Sequence, residues 1–441
     1  MALTARTGLL ALLLGVPVVL LVPSGTGVAL VAAAVALLVL LDLLLAAGLS
    51  GLTVHREGDT SVRLGERATV RLVVRNTGRR RFRGVVRDAW PPSAGVESDR
   101  FVLTVPSGQG RRLAVTLRPS RRGDRTARAT TLRSLGPLGL AGRQHTRRLP
   151  WTVRALPPFE SRVYLPSRLE RLRELAGNVP VLARGEGTEF DSLRDYVIGD
   201  DVRAIDWRAT ARRDGVVVRT WRPERDRHVL IVVDCGRTSA GLVGVDAARD
   251  PDRFGAPRLD YLLDAALLLA TLATHAGDRV DLLAYDRQVR ASVRRPGATE
   301  ALGRFTSALA TVHSSLTETD QRGLAREILQ RAGTHALVVL LTGLEAAVIS
   351  DGLIPVAGPI LRRHRLVLGS VRDPALTALA AGRGDSEAVY EAAAAERALG
   401  ERRRVSAQLE RLGVRVVDSA PTSIAPDLAD TYLALKRGGH L

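Results

Sequence analysis

Asp200, Asp201 and Asp206 fall within nine residues, "GDDVRAIDW" (199–207), just behind four further acids in "EGTEFDSLRDY" (186–196). Carboxylates at this density are what two-metal phosphoryl chemistry needs, because paired cations must share oxygen ligands. Arg194, Arg203 and Arg208 are interleaved with them at helical spacings, so mutual neutralisation explains the cluster without a reaction. A docking surface or a salt-bridged structural clamp is therefore the leading reading. A metal-dependent hydrolase built on Asp200, Asp201 and Asp206 is the alternative.

A second candidate is "DCGRTSAG" (234–241), directly after the apolar run "HVLIVVD" (228–234). It is no phosphate loop, since G-x-x-x-x-G-K-[ST] occurs nowhere in the chain. Its strand–D-x-S-x-S–helix layout is similar to the metal-dependent adhesion site of von Willebrand factor A domains. The pattern is broken twice. Gly236 stands in place of the first hydroxyl, Thr238 takes the second, and "LLTGLE" has Gly343 where an Asp is expected. A hard cation wants about six oxygens, and Asp234, Thr238 and either Ser239 or Glu345 remain. The expectation is no cofactor, or weak Mg²⁺ at a degenerate site. Cys235 has no Cys or His partner beside it and reads as a small structural residue. Neither H-E-x-x-H nor G-x-S-x-G is present.

The elements that position these residues follow from periodicity. "RLERLRELAG" (168–177) predicts a helix, and "EFDSLRDYVIG" places Phe190, Leu193, Tyr196 and Val197 at helical spacing with Gly199 as its stop. "VRAIDWRATARR" predicts a second helix and "DGVVVRTWRPE" a strand. From His228 onward buried-type strands alternate with helices: "HVLIVVD", "VDLLAYD", "HALVVLLTG", "RLVLGSV" and "VRVVDSA" against "YLLDAALLLATLATHAG", "TEALGRFTSALATV", "PILRRH", the long segment 386–413 and "APDLADTYLALKR". That alternation predicts a parallel, doubly wound sheet. Ligands of such sheets sit beyond the strands' carboxyl ends, at Asp234 and Thr342–Gly343.

Upstream, Leu52 to about Pro157 lacks helical period. "ATVRLVVRN" (68–76), "RLAVTLRP" (112–119) and "RTARATTLR" (125–133) read as short strands between turns, as in an immunoglobulin-like sandwich. "RRRFR" (79–83) and "RRGDR" (121–125) read as exposed loop charge. Before it, Gly8–Val22 and Val28–Leu49 are apolar apart from Asp42, and the second run has 22 residues, enough to cross a bilayer. The first is short, and Ala2–Thr7 would extend it. Joined by the turn "PSGTG", the pair reads as a helical hairpin. The rival is a cleaved signal, with Arg6 as its basic region and Ala32–Ala34 as its cleavage site; apolar sequence running well past that point favours the hairpin. Asp42 at mid-helix costs roughly 3 kcal/mol and reads as a helix–helix polar contact.

Composition sets the remaining bounds. With 46% hydrophobic and 25% charged residues the chain is globular. The net charge is +18, carried almost wholly by arginine, since Lys436 is the only lysine. Such an excess invites nucleic acid or an anionic membrane face. The basic stretches are scattered and poor in aromatics, so nucleic acid is not the expected partner. One cysteine excludes an intrachain disulfide.

Together, the hairpin, sandwich, "GEGTEFDSLRDYVIGDDVRAIDW" and alternating sheet resemble the family called domain of unknown function 58, over nearly the whole chain. Glu189–Phe190, Leu193–Arg194–Tyr196, Gly199–Asp200–Asp201, Arg203 and Ile205–Asp206–Trp207 carry the resemblance, and "SLGPLGLAGR" (134–143) is similar to the family's close of its sandwich. The resemblance implies a membrane-anchored multidomain protein: residues 1–51 a transmembrane helical hairpin, 52–157 an all-β immunoglobulin-like sandwich, 158–227 a signature segment packed on the next domain, and 228–441 a von Willebrand factor A-like α/β doubly wound domain. It also implies a non-enzymatic interaction or assembly role with a MoxR-type AAA+ ATPase, at a cell membrane. In that reading Trp207 and Ile205 anchor the signature against the sheet.

The loop between the apolar runs carries no arginine while the chain after Leu49 is basic, so both termini and the soluble domains are expected on the cytoplasmic side. With a cysteine placed at Ser24, a membrane-impermeant maleimide should label that loop on intact cells and leave a C-terminal tag unlabelled. Labelling of the tag from outside would overturn this topology.

Overall fold

A computed structural model describes residues 2–21, 24–177, 189–197, 200–212, 215–222, 227–243, 255–333 and 335–438. They divide into two compact units, Met1–Leu156 and Pro157–Leu441.

The first unit begins with β1 (Ala2–Leu3), α1 (Ala5–Leu21) and α2 (Gly25–Leu45). Ala2 and Leu3 do not extend the helix as expected; they pair with Gly142 and Ala141 in an antiparallel ladder. The two helices pack on each other, and Ser24 caps the second through the Gly27 amide at 3.1 Å. At 21 residues α2 is long and apolar enough to cross a membrane; α1 is shorter. Both turn leucines outward, among them Leu9, Leu12, Leu20, Leu30 and Leu37, and such surface calls for an apolar covering.

The strands that follow are β2 (Leu52–Gly58), β3 (Ser61–Arg63), β4 (Ala68–Asn76), β5 (Phe82–Ala89), β6 (Arg100–Val105) and β7 (Gly110–Leu117). Then come β8 (Gly123–Ala127), β9 (Ala129–Leu135), β10 (Ala141–Arg147) and β11 (Trp151–Leu156). They form sheets of order β1-β10-β9-β5-β6, β2-β4-β7 and β3-β11-β8. In β4 every second residue, Ala68 to Asn76, is buried, the period-2 signature of a half-covered strand. Leu52, Leu72 and Val74 meet Phe82, Val86 and Leu132 across the layers. A buried ion pair ties the same layers: Arg56 of β2 donates to Asp88 of β5 at 2.5 Å, and Thr130 and Trp90 add donors to that carboxylate.

Among the described residues, the hydrogen bonds of the Asp42 side chain go to a strand turn and not to the other helix. Its fully buried carboxylate accepts from the backbone amides of Leu138 (2.8 Å), Leu140 (2.7 Å) and Ala141 (2.8 Å) in the turn between β9 and β10. Any side chain at Gly136 would strike that carboxyl group. From the start of α1, Thr4 and Thr7 donate to the carbonyls of Gly139 and Leu140 at 2.7 and 2.5 Å. At the end of α2, Arg80 and Arg143 donate to the Leu44 and Leu43 carbonyls at 2.8 and 3.3 Å, satisfying groups a helix terminus leaves open. Arg80 is therefore a helix cap and not idle loop charge.

In the second unit, α3 (Leu165–Gly177) is the predicted helix. The predicted helix over "EFDSLRDYVIG" is instead a strand, β12 (Glu189–Asp195), and "VRAIDWRATARR" yields a 3₁₀ turn (Val202–Ala204) and the single turn α4 (Trp207–Thr210). The reason is the partner: β13 (Val217–Arg222) pairs antiparallel with β12 from Glu189↔Arg222 to Asp195↔Val217, and pairing overrides local spacing.

Next come β14 (His228–Asp234), α5 (Arg237–Ala240), β15 (Leu242–Val243), β16 (Ala256–Pro257), α6 (Arg258–His275), β17 (Arg279–Tyr285) and β18 (Val289–Val293). They are followed by α7 (Ala301–Ala310), α8 (Gln321–Arg331), β19 (Leu337–Leu341), α9 (Ile354–Leu361) and β20 (Arg365–Val371). The chain closes with α10 (Pro374–Ala380), α11 (Ser386–Arg411), β21 (Arg415–Ser419) and α12 (Ile424–Arg437); α8, α10 and β18 have no counterpart in the sequence reading. The sheet order is β18-β17-β14-β19-β20-β21, parallel except for β18. Ile231 and Val233 face α6 and α12, while Leu230 and Val232 face α8, α9 and α11. Both faces are covered, as an unbroken apolar strand requires. The order reverses at β14, so a crevice opens between the carboxyl ends of β14 and β19.

Replacing Asp42 with Ala leaves three amides without an acceptor, each costing about 1–3 kcal/mol. The full chain in detergent should melt at least about 5 °C lower, with Asp42→Asn in between. Unchanged melting of Asp42→Ala would remove the anchor from this account.

Candidate functional site

Asp200, Asp201 and Asp206 are each held by neighbours within the signature segment. Asp200 takes Arg194 at 2.6 Å and the Val197 amide at 3.0 Å. Asp201 caps the 3₁₀ turn through the Arg203 amide at 2.9 Å. Asp206 caps α4, accepting from the Arg208 and Ala209 amides at 3.0 Å each, and its other oxygen takes Arg219 of β13 at 2.8 Å. The Ala209 amide and the Arg219 guanidinium hold the Asp206 carboxyl below the usual carboxylate range, and Asp200 raises the Arg194 guanidinium. The cations that matter are thus Arg194 and Arg219. Arg203 and Arg208 contribute backbone amides, because the segment is not the helix that would align their side chains.

Glu189, Phe190 and Arg194 lie along β12, and Tyr196 continues its pairing through Val216 at 2.7 Å; Gly199 lies outside the described residues. Ile205 bridges to Val218. Trp207 does not anchor the segment: it is 68% exposed, with Val202 at 63% and Val197 at 61%. The segment thus leaves three large apolar side chains exposed, interspersed with the exposed Asp201, Arg203 and Arg208.

The second candidate sits at the sheet's switch point. Asp234 is fully buried; its carboxylate accepts from the Gly236 amide (2.8 Å), Thr342 (2.5 Å), Thr238 (3.4 Å) and Thr319. Ser239 donates to its backbone carbonyl at 2.5 Å. Burial pushes the Asp234 carboxyl above its ordinary range, against the pull of Thr319, Thr342 and Gly236. The two gaps in the sequence pattern are occupied. A side chain at Gly236 would strike the Thr319 hydroxyl, and one at Gly343 would strike the Glu345 carboxylate. Sequence spacing missed Thr319 because it arrives from the loop before α8; the hydroxyl-rich run "HSSLTET" (313–319) was its one signal.

As a home for a hard cation this group fits in kind: three hydroxyls and two carboxylates, one of them Glu345, whose buried Oε2 has no hydrogen-bond partner among the described residues. Asp234, Thr238, Thr319, Thr342 and Glu345 would hold it. Arg258 competes, since its Nη1 donates at 2.5 Å both to Glu345 Oε1 and to the Thr238 carbonyl.

The chain thus unites N-terminal apolar helices, a β-rich unit and an α/β unit. Residues 192–387 match the family described as "Protein of unknown function DUF58". That segment, inside the second unit, carries the family's domain. No curated protein matches it. Among solved structures it is similar to the CARDB domain of a Pyrococcus furiosus protein in solution, at 14% identity over 24% of this chain and 94% of that one, TM-score 0.18. The crystal structure of that domain with di-metal ions gives 15% identity over 24% and 91%, TM-score 0.19. Native alpha-2-macroglobulin from Escherichia coli, from domain MG7 to its C-terminus, gives 15% over 26% and 18%, TM-score 0.22.

Titration of the full chain with Mn²⁺ should give weak binding, abolished in Asp234→Ala and tightened severalfold in Arg258→Ala, which frees Glu345. A micromolar site in the parent chain would show that Arg258 does not hold Glu345 away from the ion.

Proposed function

We propose that this is a non-enzymatic, membrane-tethered interaction protein that works with a MoxR-type AAA+ ATPase to assemble or activate client proteins. In this reading α1 and α2 form a two-pass hairpin, both termini and the soluble units face the cytoplasm, and the α/β unit is of von Willebrand factor A type. The observation that supports it is the exposure of Val197, Val202 and Trp207 in a segment whose carboxylates at Asp200 and Asp206 are already satisfied. Exposed aromatic and branched residues on an ordered base make a docking surface. Carboxylates committed to caps and guanidinium pairs are poorly placed to ligate paired metals or move protons.

Full-length protein in detergent should capture the MoxR-type ATPase from the same genome. Trp207→Ser with Val202→Ser should weaken capture at least about tenfold, with the melting temperature unchanged because both side chains are exposed. Asp206→Asn should lower the melting temperature by a few degrees through the weakened cap and the lost Arg219 pair. Undiminished capture by the double variant would discard this docking surface. If instead Asp206→Asn kept its melting temperature and removed a metal-dependent hydrolytic activity, the hydrolase reading would replace it.

A further inference from the structure

At the sheet's amino edge, opposite the Asp234 crevice, a cleft of about 520 Å³ opens where β19, β20 and β21 begin. Its basic lining is His335, Arg362, Arg363, His364 and Arg365, and no carboxylate lines it among the described residues. Arg362 and Arg363 directly follow α9 and are exposed. Neither guanidinium makes an ion pair or side-chain hydrogen bond among the described residues, whereas Arg168 and Arg402 in the same unit each hold an aspartate. The carbonyl end of α9 favours cations nearby, which accounts for their sign but not for their convergence on a concavity.

Two further features equip the cleft. His364 is buried and its Nδ1 accepts from the Ala336 amide at 3.3 Å, so in the neutral ring Nε2 carries the hydrogen and is a donor. Burial, with Arg363, His228 and His335 nearby, keeps this ring's pKa below its ordinary value; the local field is one an anion would relieve. His335 is held at φ 56°, a left-handed conformation that non-glycine residues take at a cost and that gathers at ligand sites. Leu361 and Leu412, the latter 45% exposed, supply an apolar wall.

We propose that this cleft binds a phosphorylated small molecule of nucleotide size, its phosphates on Arg362 and Arg363 and its ring or apolar portion against Leu361 and Leu412. Guanidinium forks match phosphate oxygens in pairs, and the volume lies in the usual range of ligand pockets. A phosphate ester reaches the cleft as a free nucleotide or as a lipid headgroup. The site is independent of the docking surface at Trp207.

The probes are ADP and inorganic pyrophosphate by titration calorimetry on the full chain in detergent, and nanodiscs of phosphatidylglycerol against phosphatidylcholine. ADP and pyrophosphate should compete for one site, and Arg362→Gln with Arg363→Gln should weaken both at least about tenfold. Leu412→Asp, which sets a carboxylate at the mouth without touching an arginine, should weaken them too and keeps the test intact if the double variant misfolds. Binding confined to phosphatidylglycerol discs and lost in the same variants assigns the arginines to a lipid headgroup. No binding of any probe, or equal binding by parent and variants, overturns the proposal.

Discussion

A carboxylate taken out of water must be met by donors or neutralised, and six aspartates are buried among the described residues: Asp42, Asp88, Asp234, Asp278, Asp281 and Asp286. Much of the architecture follows from how each is met. Asp42 draws three amides of the β9–β10 turn onto the end of α2. Asp88 draws Arg56 across the sandwich. Asp278 takes Lys436 of α12 at 2.6 Å and the Tyr432 hydroxyl, fastening the last helix to the turn before β17. Burial alone would raise Asp281, yet His228, the Arg295 amide and Arg279 bring it down to about 2. Asp234 is met by an amide and hydroxyls, with no cation paired to it among the described residues, and its carboxyl rises through burial.

The apolar helices impose a second constraint. Their leucines need an apolar surround, while their ends expose carbonyls and amides that need partners. Those partners come from the β-rich unit: Arg80 and Arg143 for the end of α2, Leu140 and Gly139 for Thr4 and Thr7. Arginines that look like loop decoration in the sequence are spent on the helix terminus. This grip makes the helices and strands of the first unit one compact body.

In the second unit, local satisfaction of charge shapes the surface. Asp200, Asp201 and Asp206 are absorbed by caps and by Arg194 and Arg219, while the apolar Val197, Val202 and Trp207 stand exposed among the charged Asp195, Arg203 and Arg208. The sheet's two edges are chemically opposed as well, a hydroxyl-lined carboxylate at one and, at the other, the Arg362 and Arg363 guanidiniums, without an ion pair among the described residues.

The sequence by itself determined what depends on composition and period. Unbroken apolar strands such as "HVLIVVD" alternating with helices established the doubly wound sheet, alternation in Ala68–Asn76 the half-buried strand, and the apolar run behind Ser24 the longest N-terminal helix. Strand order then put Asp234 and Thr342 at the switch point. Only tertiary structure decided the rest, because those features are pairings between residues far apart in the chain. β12 looked helical until β13 paired with it. Arg219 reached Asp206 across that hairpin, Thr319 and Glu345 filled the spaces left by Gly236 and Gly343, and Asp42 met amides 96 or more residues away. Periodicity reports how one segment meets solvent; it carries no record of which distant donor will satisfy a buried charge.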